Sequence, residues 1–312
     1  MGTAVIRSAI DLVGFAPEAM REAIFGGNFE HFILGRPPFQ YRWRQWTTGS
    51  FALNTGCYGS PTRVLGSFPS GRLCVGYHRN PTGAGWINGF EIGRGQLQVF
   101  AERTEANYRC SASSEWVAIG LERGILQAAA VEHFGREVWI PQAGSLNLNV
   151  PQRLLVGLDR LIQGSLREDS DPQESIVPIT RLLAEILVIQ NPDELRKSAL
   201  RWRKRAAKME VAEAYLRSRL ALPFDGRSLA DVMGLGERSL QAMFKHAYGI
   251  GPAKWARCLA LHEVRKELSR LAAGDTIIRD VARAHGFEHM GRFSGYYKEL
   301  FGESPSATLA RL

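Results

Sequence analysis

Lysine is missing from the first 192 residues of this 312-residue chain, where 17 arginines balance 17 acidic residues. All seven lysines and the whole net charge of +8 fall in residues 193–312. A basic excess confined to one part of a chain favours a polyanionic partner for that part.

Cysteine is scarce as well. The four cysteines are Cys57, Cys74, Cys110 and Cys258, and they form no C-x-x-C pair and no zinc-ligand spacing. This argues against a disulfide framework and a four-cysteine zinc site. It predicts reduced and mostly buried thiols.

Long apolar runs are also absent. No segment approaches the roughly 18 apolar residues that a membrane span needs. The first ten residues lack the basic start, apolar stretch and cleavage site of a signal peptide. We therefore expect a cytoplasmic protein without a membrane partner.

Groups of catalytic or metal-binding residues are not evident. Only His31, His78 and His133 fall in the first 150 residues, far apart in sequence, so the metal-ligand pattern of a cupin is missing. His285 and His289 flank Glu288 in a segment predicted to be a turn. Serine occurs in no nucleophile-elbow spacing. We expect no metal, no cofactor and no enzymatic activity.

The length suits two domains, and residues 1–150 are typical of β-structure. Short segments separated by Gly, Pro, Asn and Ser predict strands at Arg72–Tyr77, Gln96–Ala101, Trp116–Leu121, Ile125–Ala130 and Glu137–Ile140. Turns about ten residues apart favour a barrel or jelly roll. The predicted class is α+β, with a β-barrel or jelly-roll-like N-terminal domain followed by an all-α domain.

Helical periodicity begins after Pro151. Apolar residues recur at helical spacing over 154–162 and 179–187. We predict that 151–192 completes an N-terminal domain of residues 1–192, either as a dimerisation segment or by packing inside the domain. The basic residues 193–205 are predicted to be a linker, and 206–312 a second domain.

An internal repeat marks this second domain. Ser228 and Asp231 predict a capping box for a helix whose Leu229, Val232 and Met233 point inward. A glycine turn and a helix with Leu240, Met243, Phe244 and Ala247 on one face follow. Helix, tight turn, helix is typical of the helix-turn-helix.

Leu229 and Val232 recur as Ile278 and Val281, whereas Leu240 and Phe244 recur as Phe293 and Tyr297. The offsets of 49 and 53 predict a turn four residues longer in the second copy.

A spacer helix is predicted between the copies. It would start at Pro252, run to about Leu271 and stop at Gly274. Such a helix is about 30 Å long, close to the roughly 34 Å of one DNA turn.

Residues 206–312 resemble the DNA-binding domain of AraC/XylS regulators. The resemblance rests on the segments 239–245 (SLQAMFK), 251–252 (GP), 282–287 (ARAHGF) and 293–305 (FSGYYKELFGESP). Ala242 and Gly295 stand where the family often has arginine. The resemblance implies a transcription regulator, an activator in our prediction. It also implies promoter DNA, a small-molecule effector, a homodimer partner and RNA polymerase as partners.

Helix faces predict the DNA-contacting side chains. The predicted set is Arg238, Gln241 and Lys245 in the first motif, and His289, Met290, Arg292, Tyr296 and Lys298 in the second. Arg238, Gln241 and Arg292 suit base edges, whereas Lys245 suits a phosphate.

The effector is predicted from the sequence R-W-R-K-R. Arg201 and Arg205 resemble the arginine pair with which PilZ domains hold cyclic di-GMP, and Asn54 begins a near match to the companion motif. The alternative is a sugar or another metabolite inside the barrel. Two enzyme hypotheses, a repair methyltransferase and a cupin enzyme, lack the ligand spacing that they need.

Overall fold

The structure is a computed structural model, and it describes residues 4–21, 24, 27–35, 39–80, 85–271 and 275–310. Strands dominate the first half of the chain, and helices make up the second half. This confirms the predicted α+β class, with a jelly-roll-like N-terminal domain and an all-α C-terminal domain.

The described strands all lie before residue 150. They are β1 (Ile6–Val13), β2 (Asn28–Ile33), β3 (Gln40–Thr47), β4 (Phe51–Tyr58), β5 (Thr62–Ser67), β6 (Leu73–Asn80), β7 (Gly85–Ile87), β8 (Phe90–Ile92), β9 (Gln96–Phe100), β10 (Glu105–Cys110), β11 (Ser114–Leu121) and β12 (Ser145–Asn149). A short helix, α1 (Pro17–Met20), lies between β1 and β2.

These strands form two antiparallel sheets that pack face to face. The larger sheet has the order β1-β3-β4-β11-β6-β9-β12, and the smaller has the order β2-β5-β10-β7-β8. Trp43 and Tyr58 of the larger sheet share a buried core with Phe29 and Val64 of the smaller. The predicted barrel is therefore a two-sheet sandwich.

A helical layer covers the outer face of the larger sheet. It consists of α2 (Arg123–Phe134), α3 (Gln152–Ser165) and α4 (Ile176–Val188), with a 3-10 helix at Pro172–Ser175. Strand β11 is consequently buried on both faces, since Trp116 packs between the sheets and Ile119 packs under the helices. Continuous burial explains its near-unbroken apolar sequence.

Three of the five predicted strands are confirmed as β6, β9 and β11. The strand predicted at Ile125–Ala130 is wrong, because these residues lie in α2. Three consecutive alanines favour a helix, and Leu126, Ala129 and Ala130 form its buried face. The strand predicted at Glu137–Ile140 is also wrong, since these residues form no regular element.

The residues predicted as a linker lie inside a helix of 26 residues, α5 (Pro192–Arg217). Asn191 caps it, its side-chain oxygen accepting from the Asp193 N–H at 2.9 Å. Leu195 and Trp202 pack into the N-terminal domain, whereas Leu216 packs into the C-terminal one. The apolar positions recur every three or four residues, so the basic residues occupy the opposite, solvated face.

The C-terminal domain follows α5. Its helices are α6 (Gly226–Val232), α7 (Glu237–Tyr248), α8 (Pro252–Leu268), α9 (Asp275–Ala284), α10 (Met290–Phe301) and α11 (Pro305–Leu309). Among the described residues, no helix combines the length and the apolar character that crossing a membrane requires.

The two domains share buried contacts. The ring of Phe32 in β2 lies against Trp255 and His262 of α8, with ring centroids 5.4 and 4.9 Å apart. Arg265 of α8 donates to the carbonyl oxygen of Phe15 at 3.1 Å. Helix α5 and these contacts join the two domains in the arrangement that the structure shows.

Candidate nucleic-acid interface and effector cleft

The first helix-turn-helix consists of α6 and α7. Asp225 caps α6, its Oδ1 accepting from the N–H groups of Arg227 and Ser228 at 3.0 and 3.1 Å. The predicted capping box at Ser228 and Asp231 is therefore wrong, because Ser228 already lies within the first turn. Gly234 takes φ +61° in the turn that follows, a conformation that glycine adopts without steric cost.

The second motif, α9 and α10, repeats the turn of the first. In the first copy Leu235 donates its N–H to Ala230 O at 2.9 Å, and in the second Phe287 donates to Ala282 O at 3.0 Å. The matching glycines are Gly234 and Gly286, both with positive φ. The offset at the turn is therefore 52.

This geometry corrects the predicted alignment of the first helices. Leu229 and Ala230 match Val281 and Ala282, and all four are buried. Val232, which we predicted to point inward, is 53% exposed. The second turn is one residue longer, not four. The predicted alignment paired Leu229 with Ile278 instead of Val281. Both are apolar and lie one helical turn apart, so the sequence pattern alone fits either pairing.

The second helices of the two motifs, α7 and α10, have the same length and the same kind of C-cap. Each has 12 residues and ends at a glycine with positive φ, whose N–H bonds to Lys245 O in α7 and to Lys298 O in α10. Leu240 and Phe244 are buried in α7. Phe293 and Tyr297 are buried at the equivalent positions of α10. Because the buried positions agree, the equivalent outward positions of the two helices agree too.

Helix α8 holds the two motifs together. Its 17 residues span about 25 Å, somewhat less than the predicted 30 Å. Pro252 stands in its first turn as predicted, but the helix ends at Leu268 with Ser269 as its C-cap. Gly274, the predicted stop, lies outside the described residues. Trp255, Leu259 and Val264 are fully buried, so the spacer is locked to both motifs.

Most of the predicted DNA-contacting side chains are exposed. The exposed members are Arg238, Gln241, Lys245, His289, Arg292 and Lys298. His289 is the N-cap residue of α10. Met290 and Tyr296, also predicted to be exposed, are half-buried. The Tyr296 ring lies 4.2 Å from the guanidinium of Arg257 in α8, so it faces the spacer.

Sequence reasoning missed cations on the first helix of each motif. Arg227 in α6 and Arg279 and Arg283 in α9 are exposed. In a helix-turn-helix the first helix crosses the DNA backbone, where such cations meet phosphates. The spacing of four between Arg279 and Arg283 was the signal that placed both on one helix face.

The structure places the residues predicted to hold cyclic di-GMP on two different elements, Asn54 in β4 and the arginine pair in α5. Asn54 is fully buried in the larger sheet, and its amide donates to Gln45 Oε1 at 2.8 Å. Arg201 and Arg205 lie on the exposed side of α5. The Arg205 guanidinium rests 4.6 Å from the ring of Phe90.

A large cleft does lie at the domain junction. Its volume is about 740 Å³, within the range of small-molecule sites. The smaller sheet forms one wall, α5 forms another, and Lys266 and Arg270 close one end. Polar residues of both domains line it: Asn28, Glu30, Asn107, Glu210, Glu213 and Arg217.

The cavity between the two sheets is much smaller, at about 70 Å³, room for two or three waters. Trp116, Tyr108 and His78 line it, and the Tyr108 hydroxyl lies 3.4 Å from His78 Nδ1. Burial lowers the pKa of His78 to about 4, so the imidazole is neutral at pH 7.

The two enzyme hypotheses depend on a reactive cysteine and on a metal site. Burial raises the pKa of the Cys258 thiol to about 12, which makes it a poor nucleophile. In the part of the chain that the structure describes, no three His, Cys, Asp or Glu side chains gather to hold a metal.

Comparisons with known proteins agree with the C-terminal geometry. Residues 229–311 match the sequence profile described as a helix-turn-helix domain. The chain is 33% identical over 101 residues to the probable thc operon regulatory protein of Rhodococcus erythropolis, which covers 32% of this chain and 30% of that protein. It is 39% identical over 82 residues to the XylDLEGF operon transcriptional activator 2 of Pseudomonas putida, with coverage of 26% and 52%.

Among solved structures, the AraC-like transcriptional activator CuxR aligns with 88% of this chain and 100% of its own, with a TM-score of 0.41 and 14% identity. The matches span only 30% and 52% of the two regulators named above. These matches confirm the predicted resemblance of residues 206–312 to the DNA-binding domain of AraC/XylS transcription regulators.

Proposed function

We propose that this chain binds promoter DNA in a sequence-specific way and activates transcription under the control of a small-molecule effector. One observation carries the proposal. Helices α7 and α10 have the same length and the same glycine C-cap, both pack against α8, and Gln241 and Arg292 are exposed on them. A rigid spacer that presents two such helices on one side suits successive major grooves. The net positive charge of residues 193–312 strengthens the attraction of this part of the chain to DNA.

The effector is proposed to bind in the junction cleft. The cleft is about ten times larger than the cavity between the sheets, and residues of both domains line it. A ligand that touches both domains stabilises the arrangement in which those contacts coexist, by as much as its affinity differs between arrangements. Effector and DNA then alter each other's affinity by the same factor.

Two further partners remain proposals. A homodimer would let one regulator occupy two pairs of half-sites, and an activator bound beside a promoter would contact RNA polymerase. Val177 and Ile189, 64% and 47% exposed near the two ends of α4, offer apolar surface for a protein contact.

The test of DNA binding is fluorescence anisotropy of the full chain with the DNA upstream of its own gene. We expect binding whose affinity falls steeply with salt, because phosphate contacts release counterions. Scrambled DNA of equal length is the control. Equal affinity for both duplexes at every salt concentration would contradict sequence-specific regulation.

The effector site is tested by filling the cleft. Ala214 lines it on α5, so Ala214→Trp should block effector binding while leaving the DNA-binding helices unchanged. Cyclic di-GMP serves as a comparison ligand. Calorimetric binding that is lost in Arg201→Ala/Arg205→Ala but kept in Ala214→Trp would move the site to the outer face of α5.

A further inference from the structure

The two ends of the junction cleft differ in charge. Helix α5 supplies one wall through Ala206, Met209, Glu210, Glu213 and Arg217, which share one helix face. Glu210 and Arg217 are seven residues apart, or about 10 Å along the helix axis. The cleft therefore has an end near Glu210 and an end near Arg217.

The ionic groups around Arg217 balance one another. The guanidinium of Arg217 lies 2.7 Å from Glu30, 3.2 Å from Glu213 and 3.5 Å from Glu263. Lys266 Nζ lies 3.4 Å from Glu263. Together with Arg63, which pairs with Glu213 at 3.2 Å, three cations share three carboxylates. These groups are already compensated within the protein.

The Glu210 end carries two carboxylates, both exposed to solvent, that no cationic side chain of the described residues neutralises. Glu105 of β10 and Glu210 of α5 both line the cleft, and neither forms an ion pair within the described ranges. Burial and the nearby charge of Glu105 raise the pKa of Glu210. Two carboxylates from different domains thus repel each other across the cleft, and a bound cation would relieve that repulsion.

The opposite end carries uncompensated positive charge. Arg270 follows α8 four residues after Lys266, and both line the cleft with Arg21. Within the described part of the chain, Arg21 and Arg270 form no ion pair. An acidic group on a ligand would find free guanidinium donors there.

We infer that the junction cleft binds a small linear zwitterion, with its ammonium group between Glu105 and Glu210 and its acidic group toward Arg21 and Arg270. This inference rests on the proposed role of the cleft as the effector site. Because Glu105 belongs to the N-terminal domain and Arg270 to the C-terminal one, the bound molecule contacts both. The positive and negative charges of the zwitterion cancel, so its binding leaves the net charge of the cleft unchanged.

The test is isothermal titration calorimetry of the full chain with two zwitterions, γ-aminobutyrate and ε-aminocaproate. Hexylamine and caproate are the singly charged controls, matched in length to ε-aminocaproate. We expect at least one zwitterion to bind about tenfold more tightly than either control, since only it neutralises both ends.

Matched variants locate the two charges. Glu105→Gln and Glu210→Gln should each weaken the zwitterion about tenfold and leave caproate unchanged. Arg270→Gln should weaken the zwitterion and leave hexylamine unchanged. Glu194→Gln, an exposed carboxylate of α5 outside the cleft, should bind as the wild type does. Thermal unfolding checks that each variant is folded.

Three outcomes overturn the inference: neither zwitterion binds, a control binds as tightly as the zwitterions, or both Gln variants at Glu105 and Glu210 bind like wild type. DNA affinity is measured on the same preparation. Intact DNA binding with any of these outcomes overturns the ligand class alone, whereas loss of specific DNA binding overturns the proposed function.

Discussion

The guanidinium of Arg63 in β5 lies 3.2 Å from the carboxylate of Glu213 in α5 and joins the two domains by a buried ion pair. Arg63 is fully buried, and its Nε donates to Asn107 Oδ1 at 2.8 Å. Its guanidinium also lies 3.9 and 4.1 Å from the rings of Tyr248 and Trp255. Tyr248 is the last residue of α7, so this contact links α7 to the N-terminal domain.

Arg63→Met should therefore destabilise the protein by about 3 kcal/mol, because removing one partner of a buried pair leaves its counter-charge poorly compensated. Urea denaturation measures the change. The control is Arg44→Met, which removes an exposed pair with Asp11 at 2.7 Å and should cost about 0–1 kcal/mol. Equal losses in the two variants would show that the interdomain pair contributes no more than a surface pair.

Base recognition is predicted to depend on Gln241 and Arg292. Replacing either with Ala should weaken operator binding by about 1–3 kcal/mol and relax base preference. Lys245→Ala should weaken all sequences alike and lower the salt slope by about one. Anisotropy titrations check this, with the exposed Arg153→Ala in α3 as control. Wild-type affinity in both the Gln241 and Arg292 variants would mean that other side chains read the bases.

Leu183 and Leu187 are predicted to act inside the protomer. Both are buried in the core beneath the helical layer, with 2% and 4% exposure, which favours packing inside the domain over a dimer interface. Leu183→Ala should cost about 2–5 kcal/mol of stability. Val177→Ala, at a 64% exposed position of the same helix, should change stability by about 0.5 kcal/mol or less.

Thermal unfolding and sedimentation velocity distinguish the two roles. A Leu183 variant with wild-type stability and a lower oligomeric state would restore these leucines to a subunit interface. A less stable variant with an unchanged oligomeric state is the expected result.

The folding stability should fall as the pH is lowered below about 6.5, partly because of His262. The aromatic rings of Phe15, Phe32 and Phe301 surround it, and burial lowers its pKa from 6.5 to about 3. Below pH 6.5 the unfolded chain binds a proton that the folded protein does not, so stability drops until pH approaches 3. Between pH 7 and 5 this one group should cost about 2 kcal/mol.

His262→Phe removes that contribution and keeps an aromatic ring at the site. Urea denaturation at pH 7 and pH 5 should show a smaller acid loss in the variant. Buried His31 and half-buried His78, whose pKa values burial lowers to about 4, still contribute. An identical pH dependence in both proteins would rule out His262 as a source of the loss.

The sequence alone determined the helix-turn-helix fold of the C-terminal domain, because the local signals for its helices and turns agree with one another. Glycine stops, helical periodicity and the spacing of Phe244 and Tyr297 arise within single motifs, where short-range sterics decide the structure. The same local rules placed Gln241 and Arg292 on exposed faces. They failed for α2, where a short apolar run fits a strand as well as a helix until its neighbours are known.

Only the tertiary structure decided that a cleft lies at the domain junction. Glu105 and Glu210 are 105 residues apart in sequence, and nothing local relates them. They meet because apolar positions on both halves of α5 dock the helix against both domains. Arg201 and Arg205 carry the sharper sequence signal, yet that same docking turns them toward solvent. The docking of α5 is a property of the packed chain, so it decides which of the exposed charges line the cleft and which face open solvent.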